Sequence, residues 1–116
     1  MNLDMKRMEN ALIVKLDGEL DHHSTGEVRE IIDNEMISGS SKNLIFDLSD
    51  LRFMDSSGIG LIVGRIKNVA SLGGVTAVAG VNKQTQRVLQ LTGFGNLLPI
   101  YNSVKHAMSE FRNIAK

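Results

Sequence analysis

The sequence predicts an α/β fold in which a mixed, mainly parallel β-sheet packs against about four helices. Short apolar runs typical of buried strands alternate with segments whose apolar residues recur at helical spacing. Such alternation favours parallel strands, because each crossover helix returns the chain to the same end of the sheet. The 116 residues suit one domain, and no linker or low-complexity tract divides them. We therefore expect a single domain over residues 1–116.

The chain begins with a predicted hairpin. Residues 1–8 form a candidate edge strand, and Ala11–Leu16 is apolar enough to be a buried strand. Glu9-Asn10 is a candidate turn between them. The next segment, Gly18–His23, is predicted to be a loop.

The first predicted helix begins at Ser24. Glu27 stands three residues later, which completes the pattern of a capping box. Small residues at positions 38–41 end this helix, and a buried strand follows at Asn43–Leu48. Its predicted apolar face consists of Val28, Ile31, Ile32 and Met36.

The second half of the chain continues the alternation. The second helix ends at Gly73-Gly74, and a strand follows at Val75–Ala79. A third helix is predicted at about 82–92 and a short strand at 99–101, before a last helix with an apolar stripe. The predicted order is therefore ββαβαβαβα. The stripe of the second helix is Ile59, Ile62, Val63, Ile66 and Ala70, and that of the last helix is Val104, Ala107, Met108 and Phe111.

Composition disfavours several classes of function. The 13 basic and 13 acidic residues balance, whereas a direct nucleic-acid surface needs a positive excess. Without cysteine there is neither a disulfide nor a thiolate metal site. No apolar run approaches the roughly 20 residues of a membrane span, and residues 1–6 lack a signal-peptide core. A cytoplasmic protein without a membrane contact is expected.

The segment Asp55-Ser56-Ser57-Gly58 lies where the second helix begins. Ser57 has three possible roles: a phosphoacceptor, a hydrolase nucleophile or only a helix cap. The pattern G-x-S-x-G of a nucleophile elbow fails, because Met54 and Asp55 occupy the positions of its first glycine. We therefore expect no catalytic residue. The unpaired N–H groups of a first helical turn suit a phosphate, so phosphorylation remains an option.

Glycines follow the two serines and suggest two further uses of this segment. Gly58 and Gly60 begin the dinucleotide pattern G-x-G-x-x-G, but Val63 stands at its last position, so no dinucleotide cofactor is expected. A nucleotide-binding or nucleotide-hydrolysing module, with the Ser56–Gly60 turn holding phosphate, stays open as an alternative.

Gly60 and Gly64 lie four residues apart on one helix face, with Leu61 and Arg65 beside them. Leu61 falls outside the predicted apolar stripe. The four residues then form either an accessible patch for a partner protein or a place where small residues admit a neighbouring element.

Asp21-His22-His23 follows the second strand. Loops at the carboxyl ends of parallel strands gather at one edge of a sheet, so this segment and Asp55–Ser57 should lie close together. Asp21 is then either a turn residue or a partner contact. The adjacent histidines lack the i, i+4 spacing of metal ligands, so no metal is expected.

The segments Gly18-Glu19-Leu20-Asp21-His22-His23 and Phe53-Met54-Asp55-Ser56-Ser57-Gly58-Ile59-Gly60 resemble the anti-sigma factor antagonists, small STAS-domain proteins of bacterial partner switching. The resemblance covers about Leu3 to Phe111, and the His-His pair favours the sporulation branch. It implies a STAS fold and a regulatory protein that is not an enzyme and needs no cofactor.

The resemblance also implies partners. An unphosphorylated member binds an anti-sigma factor that is itself a serine kinase, and thereby frees a sigma factor. The kinase phosphorylates the second serine of the turn, which corresponds to Ser57, and a PP2C-like phosphatase reverses the step. The residues implied to contact the partner are Asp21, Asp55, Ser56, Gly58, Gly60, Leu61 and Arg65.

Overall fold

The computed structural model describes residues 1–39, 41–93 and 98–114, and within them the chain forms six strands and four helices. The elements in chain order are β1 Asn2–Met8, β2 Ala11–Leu20, α1 Thr25–Ser38, β3 Asn43–Asp47, β4 Leu51–Met54, α2 Ser56–Ser71, β5 Thr76–Ala79, α3 Lys83–Leu91, β6 Ile100–Tyr101 and α4 Val104–Ile114.

The strands form a mixed, mainly parallel sheet, as predicted. Its order is β1-β2-β3-β5-β6, and only the β1–β2 pair is antiparallel among the described strands. β1 is the edge strand that the sequence predicts. The parallel order places the carboxyl ends of β2, β3 and β5 at one end of the sheet, where the turns that follow them are candidates for a site.

Two layers of helices cover the sheet. Even-numbered β2 side chains such as Leu12 and Val14 lie in a core cluster with residues of α1, α2 and α3. Odd-numbered side chains such as Ile13 lie on the opposite face, in a smaller cluster with residues of α4. This alternation follows from the two-residue period of a strand. The sheet is therefore buried on both faces, as its near-continuous apolar strands indicate.

The segment Gly18–His23 is not wholly a loop, and this prediction was wrong for its first three residues. β2 continues to Leu20, and its side chains alternate between exposed Glu19 and buried Leu20. β2 extends beyond the end of β3, and its last residues pair with β4, a strand that the predicted order lacks. The four residues of β4 supply the hydrogen-bond partners that keep this end of β2 extended.

The predicted capping box of α1 was also wrong. Ser24 is the N-cap residue, but its side chain makes no capping hydrogen bond to the helix. Its hydroxyl instead donates to the backbone oxygen of Glu19 at 2.9 Å and accepts from the N–H of Asp21 at 3.1 Å. Ser24 therefore ties the end of β2 to the start of α1.

Candidate functional site

The start of α2 is organised by the carboxylate of Asp55. Asp55 is the N-cap residue, and its Oδ1 accepts hydrogen bonds from the N–H groups of Ser57 at 2.8 Å and Gly58 at 3.3 Å. Ser56 and Ser57 are thus the first two residues of the helix. Because Asp55 occupies these two N–H donors, fewer of them are free for a phosphate than the sequence alone suggests. The negative carboxylate also offsets the positive end of the helix dipole.

The turn at Asp55 lies directly against the end of β2, as the parallel order predicts. The backbone N–H of Asp55 donates to the carbonyl oxygen of Leu20 at 3.3 Å. Gly58 is buried there, and a Cβ at this position would lie 2.6 Å from Cγ of Met54 and 2.8 Å from the oxygen of Leu20. Gly58 therefore allows close packing of α2 on β2. Its burial contradicts its expected role as a partner contact.

Asp21 structures the turn between β2 and α1. Its Oδ1 accepts from the N–H groups of His23 at 2.9 Å and Ser24 at 3.2 Å. Desolvation acts to raise the pKa of Asp21, but these hydrogen bonds and the neighbouring histidines together hold that pKa below its usual value. The Asp21 carboxylate thus stabilises the turn through hydrogen bonds to its backbone. Because Asp21 is half-exposed, it can also contact a partner.

The accessible part of the α2 N-terminus is small and polar. Ser56 and Gly60 are exposed, and Ser57 is half-buried. A Cβ on Gly60 or on Gly64 would have no neighbour within 4 Å, so no other element of the described chain packs there. The glycines therefore leave the helix backbone open to an approaching molecule. Of the two alternatives from the sequence, the geometry favours an accessible patch over close packing of a neighbouring element.

Leu61 is not exposed, and this prediction was wrong. Its side chain is 5% exposed and belongs to the main core cluster. The centre of the buried arc of α2 is rotated by roughly 85° from the centre of the predicted stripe, at 100° per residue. The reason is tertiary, because α1 packs beside α2 in addition to the sheet and buries the Leu61 side of the helix. Ala70, which the stripe included, is exposed.

Arg65 is buried as well, so its expected role as a surface contact is contradicted. It is 7% exposed, and its Nε lies 3.2 Å from Oδ1 of Asp33 on α1. Arg65 therefore belongs to the contact between α1 and α2, roughly two turns beyond the serines.

Phe53 is a candidate contact residue that the sequence reasoning missed. It lies in β4, opposite Glu19 of β2, and 44% of it is exposed, which is high for a large apolar residue. The sequence feature that could have identified Phe53 is its position two residues before Asp55, the N-cap residue of α2. Asp21, Phe53, Ser56, Ser57 and Gly60 together are called the docking face below.

Residues 1–39, 41–93 and 98–114 contain neither a metal-binding cluster nor a membrane-spanning helix. No cluster of three or more His, Cys, Asp or Glu side chains there is arranged to hold a metal ion. No helix in these ranges has the length and hydropathy needed to cross a bilayer.

Comparisons with known proteins agree with the fold. The profile of the STAS domain family matches residues 2–107. A protein of Paenibacillus polymyxa named anti-sigma F factor antagonist is 36% identical over 115 residues, covering 99% of this chain and 98% of its own.

Two solved structures show the same fold. The anti-sigma factor antagonist SpoIIAA in its unphosphorylated form superposes with a TM-score of 0.85 at 26% identity, covering 97% of each chain. The Bacillus protein SpoIIAA in its phosphorylated form superposes with a TM-score of 0.74 at 26% identity, covering 94% of this chain and 98% of that one. The sequence match over almost the whole chain and the shared topology lead to one conclusion: this chain belongs to the STAS domain family.

Proposed function

We propose that this protein is an anti-sigma factor antagonist whose binding is controlled by phosphorylation of Ser57. In the unphosphorylated state it binds an anti-sigma factor that is also a serine kinase, and a sigma factor is released. The kinase then phosphorylates Ser57 and binding is lost, until a PP2C-like phosphatase restores the hydroxyl. The protein itself performs no catalysis, and the sporulation type of partner switching is the setting we propose.

One observation carries this proposal. The Asp55-Ser56-Ser57 turn lies at an accessible helix N-terminus, in a chain 36% identical to an anti-sigma F factor antagonist. Among the described residues, the Ser57 hydroxyl has no hydrogen-bond partner, so it makes no hydrogen bond that stabilises the fold. SpoIIAA, which shares the fold, has a phosphorylated form.

The docking face gives the switch a physical basis. Phosphorylation adds about −1.5 to −2 charges at Ser57. Asp55 already holds the nearest N–H donors, so the phosphate in the free protein is stabilised mainly by water. A partner that covers the docking face must remove that water while leaving the phosphate beside a carboxylate, which is unfavourable. A loss of about 3 kcal/mol weakens binding more than a hundredfold.

The structure favours this function over a nucleotide-binding module. Two of the first-turn N–H groups that would bind a nucleotide phosphate, those of Ser57 and Gly58, already donate to Asp55. A shallow cavity next to the β2–α1 turn is lined by three acidic residues, Glu19, Asp21 and Glu27, against one arginine, Arg52. This excess of negative charge repels a polyphosphate.

Phosphorylation of defined variants tests the proposal. The protein is incubated with its cognate anti-sigma factor and ATP, and the phosphate is mapped by mass spectrometry of peptide fragments. Wild type should gain one phosphate on Ser57, Ser57→Ala should gain none, and the matched control Ser56→Ala should still be modified. A phosphate on Ser56, or a Ser57→Ala protein that is modified like wild type, would overturn the assignment.

A further inference from the structure

A groove separate from the docking face lies between the C-terminal halves of α1 and α2. It encloses about 640 Å³, within the usual range for a small-molecule site, and Leu44 at the start of β3 lines it. Its walls are mainly apolar, from Met36 and Ile37 on α1 and Val69 and Leu72 beside the end of α2. It begins about 12 Å along α2 from Ser57, at 1.5 Å per residue.

The rim of this groove exposes large apolar side chains. Ile37 is 83% exposed and Leu72, the C-cap residue of α2, is 52% exposed. Single exposed apolar residues are common, but two that line the same apolar groove make a continuous surface that water solvates poorly. The groove therefore has the room and the apolar walls that a hydrocarbon chain needs.

One end of the groove contains a buried cation whose hydrogen bonds are incomplete. The Arg65 side chain is 9% exposed and forms an ion pair with Asp33, with Nε 3.2 Å from Oδ1. This contact lacks the angle of a hydrogen bond, and neither Nε nor Nη1 of Arg65 has a hydrogen-bond partner among the described residues. Unsatisfied buried donors of this kind are unfavourable, and a buried guanidinium usually has its donors matched by acceptors.

The charges around the groove favour an anion. Two of its charged lining residues are basic, Arg65 and Lys42, and one is acidic, Asp33. Burial lowers the pKa of the Arg65 guanidinium, Asp33 opposes this effect, and the positive charge of the nearby Arg29 adds to it. The attraction of a second anion beside Arg65 would offset the cost of desolvation and the repulsion from Arg29.

We propose that this groove binds a medium-chain carboxylate, with its head group at Arg65 and its hydrocarbon chain along Val69, Ile37 and Leu72. The carboxylate supplies the acceptors that the guanidinium lacks, after a rotation of the guanidinium toward the groove. The distance from Arg65 to Leu72 along α2 is about 10 Å, which a chain of roughly eight to ten carbons spans. This proposal does not depend on phosphorylation of Ser57.

Decanoate is the probe, titrated into the full chain by calorimetry below its aggregation threshold. Decanoate should bind wild type and Leu91→Glu alike, and it should bind Ile37→Glu at least tenfold more weakly. Leu91 is the matched control, because it is 81% exposed and lies on α3 outside the groove. Equal binding by wild type and Ile37→Glu, or no binding by wild type, would overturn the proposal.

The role of Arg65 is tested separately from that of the apolar walls. Arg65→Gln alone leaves Asp33 without its partner, so the double variant Asp33→Asn with Arg65→Gln is used. It should lose at least tenfold in affinity for decanoate but keep its affinity for decanol, which has no charge. Backbone amide shifts caused by decanoate should centre on residues 33–39, 41–44 and 65–72. Shifts centred on Asp55–Gly60, or decyltrimethylammonium binding as tightly as decanoate, would contradict the proposed site.

Discussion

At the scale of single residues, Leu61 gives the clearest test of how α2 is oriented. It is 5% exposed, whereas Leu91 on α3 is 81% exposed. Leu61→Ala should lower the free energy of unfolding by about 2–5 kcal/mol, because it removes buried methyl groups and leaves a cavity. Leu91→Ala should change it by less than about 0.5 kcal/mol. Urea denaturation measures both values, and a Leu61→Ala protein as stable as wild type would mean that this side chain faces water.

The start of α2 at the two serines was predictable from sequence for a local reason. Asp55 caps the helix through contacts with residues two and three positions later, and turn chemistry of this range is visible in the sequence. Leu61 and Arg65 were not predictable in the same way. Which side of a helix is buried depends on its neighbours, and α1 covers the side of α2 that carries both residues. Hydrophobic periodicity alone does not contain that information.

At the scale of elements, Gly58 controls how closely α2 approaches β2. Gly58→Ala should cost about 1–3 kcal/mol of stability, because its Cβ would lie 2.8 Å from the backbone oxygen of Leu20. Gly60→Ala is the matched control, with nothing within 4 Å of its Cβ. It should gain about 0.4–1 kcal/mol, because alanine favours a helix interior. Thermal unfolding of the two variants checks this opposite effect, and a Gly58→Ala protein as stable as wild type would contradict the close contact.

The turn between β2 and α1 should make stability depend on pH through Asp21. Its carboxylate accepts hydrogen bonds in the folded state, which hold its pKa below the unfolded value of about 3.9. The stabilisation is therefore complete above about pH 4–5 and is lost as pH falls through the folded pKa. Asp21→Asn should be less stable than wild type at pH 6, and this difference should shrink by pH 3. Denaturant unfolding at the two pH values measures it, and a difference that does not change with pH would be contrary to this account.

Among the described elements, the sequence predicted all except β4. The four helices and the strands β1, β2, β3, β5 and β6 each carry a recognisable pattern, although the bounds of β2 were too short. β4 has four residues and follows β3 after a short turn without an intervening helix, so the alternating pattern did not indicate it. β4 forms because the end of β2 offers it unpaired hydrogen-bonding groups, which is a tertiary effect.

At the scale of the whole molecule, phosphorylation of Ser57 should leave the fold unchanged. The serine lies at the surface, its hydroxyl holds no structural hydrogen bond among the described residues, and a phosphate there is accessible to water. Amide shifts between the two forms of the free protein should differ mainly at residues 21–24 and 55–61. Shift changes throughout the sheet and α4 would indicate an allosteric switch and would exclude the direct electrostatic one.

We expect a phosphate on Ser57 to prevent binding to the anti-sigma factor. Isothermal titration calorimetry of the purified partner with unphosphorylated and stoichiometrically phosphorylated protein tests it most directly. Ser57→Ala serves as the matched control, because it keeps a neutral surface and should bind like the unphosphorylated wild type. We expect the phosphorylated protein to bind more than a hundredfold more weakly, which corresponds to about 3 kcal/mol. Equal affinities for the phosphorylated and unphosphorylated forms would contradict the account.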